Sequence, residues 1–189
     1  SNQVATHITH QERETFYFIT FTCYKWLALF EETGIYDYLP FWFSKLAAKG
    51  CMLNGYVIMP NHMHLTIYVK NEVKDLNQVM AESKRFLAYE VVKRLKHRNA
   101  EGTLAVLRTG VQNNEKAKGK KHQVFRLSFD AKPLDQKGVE RVLDYVHHNP
   151  VEGKWNLVDD FTKFKYSSAG YYELAKESYF EIVDYREFC

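Results

Sequence analysis

From His62 to Val69 polar and apolar side chains alternate without a break: His-Met-His-Leu-Thr-Ile-Tyr-Val. A period of two belongs to an extended strand, with Met63, Leu65, Ile67 and Val69 on one face and His62, His64, Thr66 and Tyr68 on the other. This strand, greasy on one face and polar on the other, is the reference on which the remaining elements are placed.

Upstream, residues 15–23 are dense in β-branched and aromatic side chains with both faces apolar, as in a central, doubly covered strand. Residues 33–49 carry Ile35, Leu39, Trp42, Phe43, Leu46 and Ala47 at helical spacing, with Pro40 implying a kink or a later start and Lys49-Gly50 an end. Residues 51–59 read as a second strand, interrupted by Pro60-Asn61.

A long amphipathic helix is expected over 74–98, its buried stripe Leu76, Val79, Met80, Ser83, Phe86, Leu87, Val91 and Leu95. The stretch 99–122 is less regular and holds a basic run, Lys116 to His122, expected to form a flexible loop. Residues 123–129 read as another strand. A helix over about 135–149 is capped by Asp135 and stopped by Pro150. The aromatic tail from about 155 is expected to wrap the domain with one or two short helices.

The order strand, helix, strand, strand, helix, strand, helix describes an α+β fold: a mainly antiparallel sheet with helices packed on it, close to the ferredoxin-like split β-α-β arrangement. The 189 residues, 46% hydrophobic, suffice for one domain spanning the chain.

A net charge of +3 does not announce a nucleic-acid binder, so any such reading depends on where the basic residues lie. With 13 tyrosines, platforms for stacking bases are easy to build, but no single tyrosine is thereby marked as catalytic. Cys23, Cys51 and Cys189 form no C-x-x-C pair and fit a reducing, cytoplasmic setting. No apolar run is long enough to span a membrane, and no secretory signal is evident at the N-terminus.

Two segments can carry chemistry. His62 and His64, two apart on a strand, project side by side and suit two cis ligands to one metal ion; two solvated histidines are the competing reading. In Tyr145-Val-His-His-Asn-Pro150, Tyr145 and Asn149 stand one helical turn apart. The tyrosine could approach a phosphate while Asn149 offers its amide oxygen to the metal. The bland alternative is a core tyrosine followed by an Asn-Pro helix stop.

Taken together, the segments resemble the REP-associated tyrosine transposases, within the single-tyrosine HUH endonucleases. The matching pieces are Met59-Pro-Asn-His-Met-His-Leu65, Ser83-Lys-Arg-Phe86, Leu143-Asp-Tyr-Val-His-His-Asn-Pro-Val151 and Lys165-Tyr-Ser-Ser-Ala169, over roughly residues 15–172. The resemblance implies a DNA endonuclease and strand transferase acting on single-stranded or hairpin DNA. It makes His62 and His64 ligands of a divalent ion, Mg²⁺ or Mn²⁺, with Asn149 the third ligand. Tyr145 is the implied nucleophile, leaving a 5′-phosphotyrosine and a free 3′-OH. A phenol ionises only near pH ~10, so a metal that neutralises the phosphate would help such an attack.

Lys84, Arg85, Lys93, Arg94, Lys116, Lys118, Lys120 and Lys121 are candidates for neutralising DNA phosphates. A monomer is favoured over a homodimer, and a bacterial cytoplasm, with the protein on the nucleoid when bound to DNA, is the expected setting. The segment 99–122 is longer than in shorter family members, and Glu152-Gly-Lys-Trp155 replaces the more frequent basic-Gly-Leu sequence; neither departure is expected to touch the catalytic set. The competing functions are a domesticated protein that binds hairpin DNA without cutting it, and a metal phosphodiesterase in which water attacks and Tyr145 is structural.

Overall fold

The computed structural model describes residues 14–127 and 130–189, with residue 130 described by its backbone. Four strands form one antiparallel sheet: β1 (Thr15–Thr22), β2 (Cys51–Ile58), β3 (His62–Val69) and β4 (Asp130–Leu134), in the order β2-β3-β1-β4. Both β1 and β2 pair antiparallel with β3, so they run in the same direction with β3 between them, which is the split β-α-β arrangement. Thr20 lies opposite His64 and Thr22 opposite His62, which fixes the register of the histidines against β1.

The strict alternation of β3 sorts its side chains as expected, but its polar face is not left to solvent. Met63, Leu65, Ile67 and Val69 join Tyr17, Ile19 and Phe21 of β1 in the larger core. That face is covered by α2 (Leu39–Ala48) and α3 (Leu76–His97), with Trp42 Nε1 donating to the Ser83 carbonyl at 2.8 Å between them. On the other face, Phe16 and Val57 pack with Val139, Leu143 and Val146 of α6 (Gln136–His147). The tail adds Phe188, stacked on Tyr68 at 4.0 Å between ring centres.

α6 begins where Asp135 caps it, its carboxylate accepting from the Gly138 N–H at 2.7 Å. The helix ends at His147, and Asn149-Pro-Val151 forms a separate 3₁₀ turn, since Pro150 has no N–H to continue the ladder. Leu143 sits over Gly55 so closely that a Cβ there would overlap it. Gly55 therefore sets how near α6 can lie to the sheet.

Several boundaries differ from the sequence reading. Instead of one helix over 33–49, a short α1 (Leu29–Thr33) ends at Gly34 in the left-handed region, followed by a 3₁₀ turn at Ile35–Asp37. α2 then starts at Leu39 with Pro40 in its first turn, where a missing N–H costs nothing. The stretch 99–122, expected to be less regular, holds α4 (Glu101–Thr109) and α5 (Asn113–Lys116), while the basic run continues beyond Lys116 as turn and irregular backbone to His122. Leu104 and Leu107, one turn apart, are fully buried and anchor α4.

The expected strand over 123–129 is displaced. Residues 123–127 contribute an isolated bridge, Cys23 to Phe125, while the strand proper is β4; residues 128 and 129 lie outside the described residues. In α3, Phe86 is exposed rather than part of the buried stripe. The tail does contain a short helix, α7 (Ala169–Leu174), with 3₁₀ turns at Phe161–Lys163 and Tyr185–Phe188. The N-terminal reading falls on residues 1–13, outside the described residues. Among the described residues no helix is long and apolar enough to cross a membrane.

Candidate active site

His62 opens β3, and its ring is 4.9 Å from that of His64, at a steep angle to it. Each imidazole is held from behind. His62 Nδ1 lies 2.7 Å from Asn61 Oδ1, and Asn61 Nδ2 in turn donates to the Trp26 carbonyl at 3.2 Å. His64 Nδ1 lies 2.9 Å from Thr20 Oγ1, and its ring stacks on Phe18. An Nδ1 held by a neighbour fixes the ring and leaves Nε2 as the ligating atom. Neither Nε2 has a protein hydrogen-bond partner among the described residues.

Both rings are neutral at physiological pH. Burial pushes His62 down to about 4, and burial with the neighbouring His62 pushes His64 down to about 3. Two neutral imidazoles with free Nε2 atoms fit the requirement of a divalent ion for unprotonated donors. Among the described residues there is no group of three or more His, Cys, Asp or Glu side chains that could hold a metal. The remaining positions would fall to a neutral ligand such as Asn149, to water or to substrate oxygens.

α6 covers the sheet face that carries the histidines: Val57, paired with His64, packs in one cluster with Val139, Leu143 and Val146. Tyr145 is 66% exposed, so it is not the core tyrosine that the bland reading required. His147, on the opposite flank of the helix, is buried with its Nε2 2.8 Å from Ser168 Oγ, and burial first, then His148, lowers it to about 4. His148 packs on Phe161. His147 thus anchors α6 to the tail, while Tyr145 is exposed; Asn149, half-buried, falls beyond the end of α6 in the following 3₁₀ turn, so the two do not share one continuous helix as their spacing implied.

No protein-family model matches the chain, and no curated protein does. Among solved structures it is similar to a REP-associated tyrosine transposase bound to a REP hairpin. The TM-score is 0.59 at 15% identity, over 96% of this chain and 93% of the other. The two share a fold. That likeness is one of architecture, an α+β sheet with helices packed on it.

The proposed phosphate contacts are more scattered than the sequence suggested. α3, with Lys84, Arg85, Lys93 and Arg94, packs on the sheet face opposite the histidines. Lys84 donates to the Arg126 carbonyl at 2.9 Å and sits over the Phe21 and Phe125 rings. Arg94 pairs with Asp37 and Glu90 and donates to the Thr33 and Gly34 carbonyls. Lys120 pairs with Glu115. Arg85 (3.9 Å from Glu82), Lys93, Lys116, Lys118 and Lys121 are exposed.

Nearer the histidines lie groups the sequence reading passed over. Trp26 and Trp155 approach His62 with ring centres at 6.0 and 6.4 Å, and each carries a cation, Arg126 and Lys154 respectively. The segment Glu152-Gly-Lys-Trp155 therefore does touch the candidate set, because the turn after Pro150 folds back, Leu157 N–H donating to the Pro150 carbonyl at 2.8 Å. The signal available was a tryptophan next to a lysine directly after the Asn-Pro turn.

Proposed function

We propose that this protein is a metal-dependent endonuclease and strand transferase for single-stranded or hairpin DNA, with Tyr145 as nucleophile. The observation that carries the reading is the His62–His64 pair, each ring held at Nδ1, on the sheet face covered by the helix bearing an exposed Tyr145. The shared fold with a transposase bound to hairpin DNA supports the substrate class.

In this reading a divalent ion, Mg²⁺ or Mn²⁺, held by His62 and His64 with Asn149 as third ligand, would neutralise charge on the scissile phosphate. The rigid backing of both rings by Asn61 and Thr20 keeps their ligating atoms in place before DNA arrives. Tyr145 attacks phosphorus through its hydroxyl oxygen; the bond to the 3′ oxygen breaks, and that oxygen leaves as a 3′-OH after taking up a proton. The phenolic proton passes to water, which the exposure of Tyr145 permits. The 5′-phosphotyrosine conserves the bond for rejoining without ATP.

The test is incubation with single-stranded hairpin DNA and Mn²⁺ or Mg²⁺, followed by a search for an SDS-resistant protein–DNA adduct. Wild type is expected to form it and Tyr145→Phe to lose it. An adduct surviving in Tyr145→Phe would remove the nucleophile assignment. Tight binding without any adduct would leave a DNA-binding protein that does not cut.

A further inference from the structure

We infer that Trp26 is the stacking platform for an unpaired nucleobase next to the scissile phosphate, an assignment that rests on the reading of His62 and His64 as the phosphate-activating site. Of the three tryptophans, Trp42 is 2% exposed and Trp155 is half-buried against the smaller core, whereas Trp26 is 55% exposed. It stands edge-on to His62 at 6.0 Å, with the Arg126 guanidinium over its ring at 5.8 Å. Lys25 precedes it, also exposed.

The backbone is held in an unfavourable state to present this ring. Lys25 and Trp26 both have left-handed φ, 52° and 57°, in consecutive non-glycine residues. Such conformations cost free energy and persist only where neighbouring structure enforces them. Here the enforcing contacts run to the site: Asn61 donates to the Trp26 carbonyl and meets His62 Nδ1 with its own amide oxygen. Arg126 is placed by its N–H donating to Thr22, the β1 partner of His62. One side chain thus ties the strained turn to the candidate ligand, and the segment bridged to Cys23 through Phe125 supplies the cation.

An exposed indole beside cations suits a nucleobase whose flanking phosphates the cations neutralise, since every base offers a π-face. A ring so close to His62 would receive the base adjoining the phosphate held there. It would act before and after cutting, holding the strand end in register for rejoining.

The experiment compares wild type, Trp26→Gly, Trp26→Phe and Arg126→Ala for binding a fluorescently labelled oligo(dT) single strand by anisotropy, alongside adduct formation and thermal melting. Glycine adopts positive φ without strain, so Trp26→Gly is expected to melt at the wild-type temperature or above it. Its affinity should fall about 5- to 150-fold, the range for removing one stacked base. Trp26→Phe should retain most of the affinity, and Arg126→Ala should fall between. Wild-type affinity in Trp26→Gly overturns the proposal, as does a collapse of its melting temperature, which would make Trp26 a structural residue. If wild type binds through Trp26 but forms no adduct, the platform stands and the cleavage reading fails. If adducts form equally well in Trp26→Gly and binding is unchanged, the cleavage reading stands and the platform fails.

Discussion

Asn61 Oδ1 lies 2.7 Å from His62 Nδ1, so the orientation of the first candidate ligand depends on the residue that precedes it in the chain. The Thr20 hydroxyl does the same for His64 from across the sheet. Partners of this kind typically govern metal affinity by about 10- to 100-fold. Asn61→Ala and Thr20→Val are each expected to weaken Mn²⁺ binding by that order, measured by titration calorimetry. Unchanged affinity in both would mean that the histidines do not hold the ion.

Gly55 should resist the smallest enlargement. A Cβ there overlaps Leu143 and comes within 3.0 Å of Thr66 Oγ1. Unless the Leu143 side chain swings aside, the helix shifts away from the sheet, at about 1–3 kcal/mol for an overpacked core. Gly55→Ala is expected to lower the urea midpoint accordingly. Adduct formation should fall further than stability alone explains, because Tyr145 rides on the displaced helix. A midpoint equal to wild type would show that Leu143 can yield without moving α6.

Lys84 gives a pH signature. Burial first, and neighbouring Lys120 second, push its ammonium from 10.5 down to about 8. Between about pH 8 and 10.5 the unfolded chain still binds a proton there that the folded protein has released, so the contribution of Lys84 to stability rises with pH across that window. Below it, both states are charged and the burial penalty stands in full. The buried thiols Cys23 and Cys51, pushed up to about 12 by burial, act in the opposite direction. They do so equally in Lys84→Met. Wild type minus Lys84→Met, compared by denaturant melts at the two ends of the window, should show the slope; parallel curves would refute it.

The sheet was legible because alternation in 62–69 and the apolar run 15–23 answer to burial on their faces. The share of the larger core that β1 and β3 supply therefore followed from the pattern alone. What local pattern could not show was which segment covers the polar face of β3. That depends on the close approach of Leu143 at Gly55, from nearly ninety residues away, and on the tail, which reaches the sheet across more than a hundred. The same limit hid the fold-back that brings Trp155 to His62, and the bridge that places Arg126 beside Trp26. α4 was missed although Leu104, Leu107 and Val111 stood at helical spacing, because the basic run that follows dominated the segment. His64 was singled out as a candidate by its place in the alternating strand and Tyr145 by its place in the Tyr-Val-His-His-Asn-Pro segment; their surroundings required the fold.

Among the proposed phosphate contacts, Arg94 and the exposed lysines should separate cleanly. Arg94 joins α3 to the turn at Thr33–Gly34 through two carbonyls and to Asp37 and Glu90 by ion pairs. Arg94→Ala leaves both carbonyls and the carboxylates without this partner, so it is expected to destabilise by about 1–3 kcal/mol. Its DNA affinity at a temperature where it remains folded should be near wild type. Lys116, Lys118 and Lys121 are exposed on and after α5, and their joint replacement by Ala should leave the melting temperature unchanged within error. If a DNA stem reaches them, the slope of log affinity against log salt should shrink by roughly 0.7–0.9 for each phosphate that is no longer neutralised. An unchanged slope would confine the DNA to the histidine face, where Lys25, Arg126 and Lys154 are the cations at hand.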